Sequence, residues 1–486
     1  MKRVLIAAVA MIICAGVLVG LVSGAFAALV EGGLYGSGLW SRNGASTLAP
    51  SRTPSTSAPT AGPTATASSS ASPSATAATP SPVLVPAPSG PPPDPTRLAA
   101  RIAGVRVPNA KGTYSAAVVD VGTGATLFRH RIDQAQIPAS TLKLLTGGAA
   151  LSTLGPTHTF RTTVVSPKAG EIVLVGGGDP YLAEKPTPGA FLRRASVGDL
   201  AKRTAAALAK RKIGTVTLGY DASLFVGPAW NPAWPSAYRD QVTPVSALWV
   251  DEGRVTGRSP GSRVKDAPRH AAEAFAAGLR RNGVRVSGLR ITKAPRSATE
   301  VAAVSSAPLE RIVEQMLMVS DNDAAEVLFR QVAVAGGRPG STVEAGSAMR
   351  AELTRLGVWT DGTRIIDGSG LARQNKVPAA TLTRLLRLAA DDEGSKLRAT
   401  VTGLPVAGVE GTLRRRFGDE ASLAGRGLVR GKTGTLRHVQ SLAGMVRTRD
   451  GSVLVFAFLV NNPKNAYNAR VWLDRVTAAI STCGCR

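Results

Sequence analysis

The chain runs to 486 residues, enough for two or three domains and at least one sizeable buried core. Its 58 Lys and Arg against 32 Asp and Glu give a formal charge of +26, which suits an anionic neighbour (nucleic acid, acidic lipid headgroups or an anionic wall polymer) or follows from arginine-rich composition alone. No zinc-finger spacing, aromatic RNA motif or basic helix run accompanies the charge, so no nucleic-acid partner is expected. The cysteines, Cys14, Cys483 and Cys485, exclude a disulfide framework across the core and a Cys-x-x-Cys metal site. In an oxidising compartment Cys483 and Cys485 can pair with each other or between chains.

Lys2 and Arg3 precede an uncharged, mostly apolar run from Val4 to Val30, closed by Glu31. The run is long enough for a bilayer and exceeds the ~7–15-residue core of a signal peptide, although Ala25-Phe26-Ala27 fits a cleavage site. Residues 1–30 therefore read as a transmembrane anchor, with a cleaved signal as the alternative. Both place the remainder outside the cytoplasm, anchored to the membrane or secreted. Residues 31–97, dominated by Pro, Ser, Thr and Ala, cannot bury enough apolar surface to offset ordering and read as a disordered tether.

Folded sequence is expected from Leu98. Ser115–Asp120 reads as a buried strand, Gly122-Thr123-Gly124 as its turn and Thr126–Arg129 as its partner. A helix is expected to start close to Ser140, because Pro138 favours an extended residue before it and Leu144, Leu145, Ala149 and Leu151 recur on one face. On that helix Ser140 and Lys143, at i and i+3, share a face. A serine hydroxyl needs a base, and a desolvated lysine can serve as one. The pair alone is a weak signal, since Ser262 and Lys265 repeat it in a stretch that reads as loop.

Residues 160–307 alternate short strand patterns with Gly and Pro and show no catalytic set, so they read as one or two inserted domains. From Pro308, Leu309, Ile312, Val313, Met316 and Leu317 mark a helix. The polar turn Ser320-Asp321-Asn322 follows, and Asp323 is placed as the N-cap of a second helix over Ala324–Val332. Residues 367–373 form a glycine-rich turn. Leu428–Thr435 leads into strands at Ser441–Thr448 and Val453–Val460, joined by Asp450-Gly451, and a helix at Ala466–Ile480 closes the chain. Lys432 is thus expected on or beside a strand of an antiparallel sheet.

Ser-x-x-Lys at Ser140, Ser-x-Asn at Ser320 and a Lys-Thr-Gly at Lys432 occur in the order characteristic of penicillin-binding proteins and serine β-lactamases. With Pro138–Lys143, Gly176–Leu182, Asp367–Arg373, Gly408–Leu413 and Gly431–Leu436, the chain from Leu98 onward resembles the D-alanyl-D-alanine carboxypeptidase/endopeptidase family of class C low-molecular-mass penicillin-binding proteins. The resemblance implies a mixed α/β (α+β) fold, a transpeptidase-like domain with an antiparallel sheet flanked by helices. It is split into residues 98–159 and 308–486 by smaller insertion(s) at 160–307.

It further implies a serine carboxypeptidase, with endopeptidase action also open, that cleaves peptidoglycan stem peptides ending in D-Ala-D-Ala and is acylated by β-lactams, with no metal or cofactor. Ser140 would attack the peptide carbonyl, Lys143 take its proton, Ser320 relay a proton to the leaving amine, and Asn322 hold the substrate amide and Lys143. Lys432 would help keep Lys143 neutral by like-charge repulsion. Thr433, Gly434 and Thr435 would bind the terminal carboxylate, and Ser140 and Thr435 would supply oxyanion-hole N–H groups. Ser369, Leu371 and Arg373 would line the peptide cleft.

Three alternatives compete. A β-lactamase deacylating through Glu-x-x-Leu-Asn lacks that motif here, and a Ser-His-Asp hydrolase is a poor fit because His130, His158, His270 and His438 are each expected in a solvated or packing role. A catalytically silent wall-binding or sensor module would not need the intact motifs.

Overall fold

A computed structural model describes residues 90–391 and 396–485. The N-terminal run and most of the tether fall outside the described residues. Among the described residues no helix is long and apolar enough to cross a membrane.

Chain order begins with α1 (Pro95–Gly104), whose cap Asp94 accepts from Arg97 N while Pro95 occupies the first turn, where a missing N–H costs nothing. Next come β1 (Thr113–Asp120), β2 (Thr126–His130), α2 (Leu142–Leu154), β3 (Arg161–Lys168), β4 (Glu171–Val175), α3 (Val197–Lys210), β5 (Thr215–Asp221), α4 (Ala267–Arg281), β6 (Arg285–Ile291) and β7 (Thr299–Ser305). A helical run follows as α5 (Leu309–Val319), α6 (Asn322–Ala335), α7 (Thr342–Arg355) and α8 (Ala379–Asp391). The chain finishes with β8 (Val429–Leu436), β9 (Val439–Arg447), β10 (Val453–Asn461) and α9 (Ala466–Ser481).

The first sheet is antiparallel in the order β2-β1-β10-β9-β8, so the chain's N- and C-terminal strands meet at its centre, with Ala117 opposite Ala457. Strands β1 and β10 read as continuous apolar runs because both faces are covered. The period-2 alternation sends Ala117, Val119, Val455, Ala457 and Leu459 into a core with α2, α5, α6 and α8, and Ala116, Val118, Leu454, Phe456 and Phe458 into a second core with α1 and Trp472 of α9. Gly147 and Gly148 of α2 cost helix propensity but permit close packing. Added Cβ atoms would lie 2.9 Å from Val313 Cγ1 and 2.8 Å from Leu385 Cδ1, so α5 and α8 approach α2 there. Cys483 and Cys485 are disulfide-bonded to each other, which selects one of the two pairings.

Residues 160–307 hold a second sheet, β6-β5-β4-β3-β7, with parallel pairing of β4 to β5 and β5 to β6. Leu200, Ala201 and Leu208 of α3 and Phe275 and Leu279 of α4 cover its Ile172, Leu174, Val216 and Leu218. Between β5 and α4, residues 222–266 leave this sheet and pack Phe225, Trp234, Val242 and Trp249 against Val327, Leu371 and Ala372 of the main body. That irregular segment also holds Ser262 and Lys265, which lie on no helix.

Candidate active site

Ser140 sits in a tight 3-10 turn, Ala139–Thr141, one turn earlier than the α-helix proper, which begins at Leu142. Ala139 adopts φ +49°, a left-handed strain that sets Ser140 at the mouth of a cleft. Lys143 is fully buried beneath it, with Nζ 3.0 Å from Ser140 Oγ, 2.7 Å from Asn322 Oδ1 and 2.7 Å from the Ser369 carbonyl. The i, i+3 relation survives the 3-10 geometry, since that turn also stacks residues three apart.

Helix α5 ends at Ser320 in the left-handed conformation, φ 59° and ψ 43°, which turns the chain back at once into α6. Asp321, not Asp323, caps α6 by accepting from Ala324 N at 3.1 Å. Both fit an N-cap pattern by sequence; Asp323 is instead occupied by Thr243 N at 2.7 Å and by Arg254. From β8, Lys432 Nζ donates to Ser320 Oγ at 2.8 Å and to the Thr433 carbonyl at 2.8 Å. Helix, turn and strand thus bring Ser140, Lys143 and Asn322 into one hydrogen-bonded set and Ser320 and Lys432 into a second, the two joined through the Ser320-Asp321-Asn322 turn.

The cleft, of about 680 Å³, is lined by Ser140, Ser320, Asn322, Leu371, Thr433 and Thr435 from the main body. Tyr238, Gln241 and Arg254 line it from the inserted segment. Thr433 Oγ1 donates to Thr412 Oγ1 at 3.0 Å, so the Gly408–Leu413 stretch also reaches the site. Gly434 lies edge-on to the Ser140 turn. A Cβ there would overlap Ser441 Oγ and press against Pro138 O at 2.7 Å and Ser140 N at 3.1 Å. Gly434→Ala should therefore push β8 off the nucleophile turn and cut acylation about 10²-fold while the thermal melt stays cooperative.

One expectation for the glycine-rich turn needs correction. Ser369 does not line the cleft: it is fully buried, and its backbone does the work, the carbonyl accepting from Lys143 and the N–H donating to Glu326 Oε1 at 2.7 Å. Arg373 is exposed and donates from Nη1 to the carbonyl of Arg437, a residue of the cleft lining, at 2.8 Å. Leu371 faces the cleft directly.

Electrostatics place both lysines under the same strain. Burial is the main force on Lys143 and pulls its ammonium down to about 8, against the opposing pull of Asp321, Asp367, Glu326 and Asp323. Burial pushes Lys432 well below the usual lysine range, and the Lys143 charge pushes it further. The repulsion between the two ammonium groups is mutual, so the site disfavours both lysines carrying a proton at once.

Glu326 supports the turn from below. Its Oε1 accepts from Gly368 N at 3.0 Å and Ser369 N at 2.7 Å, and burial, then Asp367, push its carboxyl up to about 8. The folded chain therefore keeps a proton that the unfolded chain gives up near the ordinary glutamate range. This group's contribution to unfolding free energy falls as pH rises from there to about 8. Glu326→Gln, which mimics the neutral acid, should flatten that part of the pH dependence in urea titrations. An unchanged slope would show that Glu326 is ionised throughout.

Sequence reading missed the contribution of residues 222–266. Asn322 Nδ2 donates to the Gln241 carbonyl at 3.0 Å, and Trp234 Nε1 donates to Asp367 Oδ2 at 2.8 Å. No local motif announces a backbone carbonyl or an indole reaching across more than 80 residues of chain, as the Asn322–Gln241 separation of 81 requires.

A half-buried serine on a buried lysine, a second serine beside a second lysine, and an adjoining sheet edge make up the residue set of a serine acyl-transfer site, in which a neighbouring amine can serve as base to the hydroxyl. A family model described as the D-Ala-D-Ala carboxypeptidase 3 (S13) family matches residues 98–260 and 256–480. A carboxypeptidase of Mycobacterium tuberculosis is 35% identical over 388 residues, covering 77% of this chain and 81% of the relative. Carboxypeptidase DacB of Mycolicibacterium smegmatis is 35% identical over 404 residues, covering 81% and 86%. In fold, the crystal structure of penicillin binding protein 4 (dacB) from Haemophilus influenzae matches with a TM-score of 0.64 at 21% identity, over 79% of this chain and 98% of that one. The chain belongs to the D-Ala-D-Ala carboxypeptidase 3 (S13) family.

Proposed function

We propose that the chain is a serine D-Ala-D-Ala carboxypeptidase of peptidoglycan stem peptides that works through an acyl-enzyme on Ser140 and is acylated there by β-lactams. The observation that carries this reading is Lys143 Nζ, buried, 3.0 Å from Ser140 Oγ and steadied by Asn322 and Ser369. Neutral Lys143 takes the Ser140 proton as Oγ bonds to the carbonyl carbon between the D-alanines. The C–N bond then breaks, and the leaving amine receives a proton through Ser320, whose Oγ is held by Lys432. Water reverses the sequence, cleaving the ester and restoring Ser140. The N–H groups of Ser140 and Thr435 serve as the oxyanion hole, and Thr433, Gly434 and Thr435 present β8 to the substrate's terminal carboxylate.

Peptidoglycan lies outside the cytoplasmic membrane, and the apolar run of residues 1–30 supports export and anchoring, or secretion. The reading is tested with a fluorescent penicillin and a synthetic stem peptide. The native chain should be labelled and should release free D-Ala, and Ser140→Ala should do neither. Labelling retained in Ser140→Ala would move the nucleophile elsewhere.

A further inference from the structure

Behind the Ser320-Asp321-Asn322 turn lies a buried charge cluster that takes no part in the acylation and deacylation steps. Arg254, from the inserted segment, places Nη2 2.8 Å from Asp321 Oδ2, 3.0 Å from Asp323 Oδ2 and 3.0 Å from Glu252 Oε1. Its Nε adds a contact to Asp323 Oδ2 at 3.3 Å, and Arg263 Nη2 stands 3.4 Å from the same oxygen. Oxygens of Glu252, Asp321 and Asp323 all lie within 4.8 Å of one another, a donor set that suits a divalent cation. The guanidinium nitrogen, however, is at ion-pair distance from all three carboxylates and fills the role a metal would take.

The placement matters because Asp321 and Asp323 flank Asn322. Asn322 Oδ1 holds Lys143 at 2.7 Å, and Ser320, one residue before Asp321, holds Lys432 at 2.8 Å. Buried carboxylates without a counterion repel one another and would spread the turn. Asp251 and Glu252, which lead into Arg254, adopt φ 47° and 58°, a left-handed pair whose cost is met by this docking. We infer that Arg254 is a positioning residue for acylation: by clamping Asp321 and Asp323 it keeps Asn322 on Lys143 and Ser320 on Lys432, making the inserted segment part of the catalytic apparatus. The inference rests on Ser140 being the acylated serine.

Arg254 also borders the cleft, so a direct substrate contact is the competing explanation, and the two differ in the kinetic constant they move. The experiment uses the full chain with Arg254→Ala and Arg254→Lys, a fluorescent penicillin and a D-Ala-D-Ala peptide. Arg254→Ala should melt cooperatively, lose about 10²-fold in acylation rate and kcat, and keep KM within about threefold. The acid limb of its pH–rate profile should move to higher pH, because Asp321 and Asp323, freed of the guanidinium and joined by Asp367, then retain the Lys143 proton more strongly against the repulsion of Lys432. Guanidinium ion at non-denaturing concentration should restore part of the rate, and Arg254→Lys should fall between the two.

Acylation within about threefold of the native rate in folded Arg254→Ala, or a loss confined to KM, overturns the inference. If Arg254→Ala does not fold, Arg254→Lys decides: a kcat lowered about tenfold at unchanged KM supports the clamp, and native kinetics overturn it. A native chain that takes no label at Ser140 sinks the functional reading itself, and with it this inference.

Discussion

A chain carrying Lys143→Met is expected to fold and to lose acylation by a penicillin by about 10²–10⁴-fold, the span a positioned general base contributes. Stability should change little, because two effects offset. Holding the Lys143 ammonium in a site that lowers its pKa from 10.5 to about 8 costs about 3 kcal/mol. The substitution relieves that cost but leaves Ser140 Oγ, Asn322 Oδ1 and the Ser369 carbonyl without their donor, at about 1 kcal/mol each. The pH profile carries the sharper test. Only the neutral amine can take the Ser140 proton, so the native acylation rate should climb as pH rises and level off above about 8. In Lys143→Met the residual rate should show no such limb when labelling is timed from pH 6 to 9. A limb that persists would assign the proton transfer to another group, Lys432 first.

The Lys143 result also shows what kind of information the sequence carries. Ser140, Lys143, Ser320, Asn322 and Lys432 are legible because acyl transfer requires particular side chains, and helices and turns fix their local spacing. The antiparallel sheet is legible through the Asp450-Gly451 hairpin and the apolar runs of β1 and β10. Backbone roles are not legible in the same way. Ser369 looks like a cleft hydroxyl by type, yet its carbonyl holds Lys143.

Long-range polar contacts fail for a related reason. Arg254 and Gln241 sit in residues 222–266, which have neither helical nor strand periodicity, so nothing local marks them as partners of Asp321 and Asn322. Asp321 and Asp323 both satisfy the capping pattern, and only the inserted segment's claim on Asp323 decides between them.

Asp367 is where the fold's stability and the site's geometry meet, and Asp367→Asn is expected to be nearly as harmful as Asp367→Ala. Each carboxylate oxygen accepts two donors: Oδ1 takes Gly370 N at 2.9 Å and Asn375 Nδ2 at 2.7 Å, and Oδ2 takes Ala372 N at 2.6 Å and Trp234 Nε1 at 2.8 Å. Alanine strands all four buried donors, for a loss of about 4 kcal/mol or more in urea unfolding. Asparagine is nearly isosteric, but its amide NH₂ must face two N–H donors whichever way it flips, so about 3 kcal/mol should still be lost.

Activity should fall with stability. Gly370, at φ +86°, packs so close to Ala139 that a Cβ would overlap its carbonyl, and the neighbouring Ser369 carbonyl holds Lys143. Loosening residues 367–372 therefore releases the Ser140 turn and its base together, and acylation by whatever folded protein remains should drop about 10²-fold. An Asp367→Asn chain within about 1 kcal/mol of native stability would mean that one of the four donors has water as its true partner, and that the carboxylate's charge is not what orders the turn.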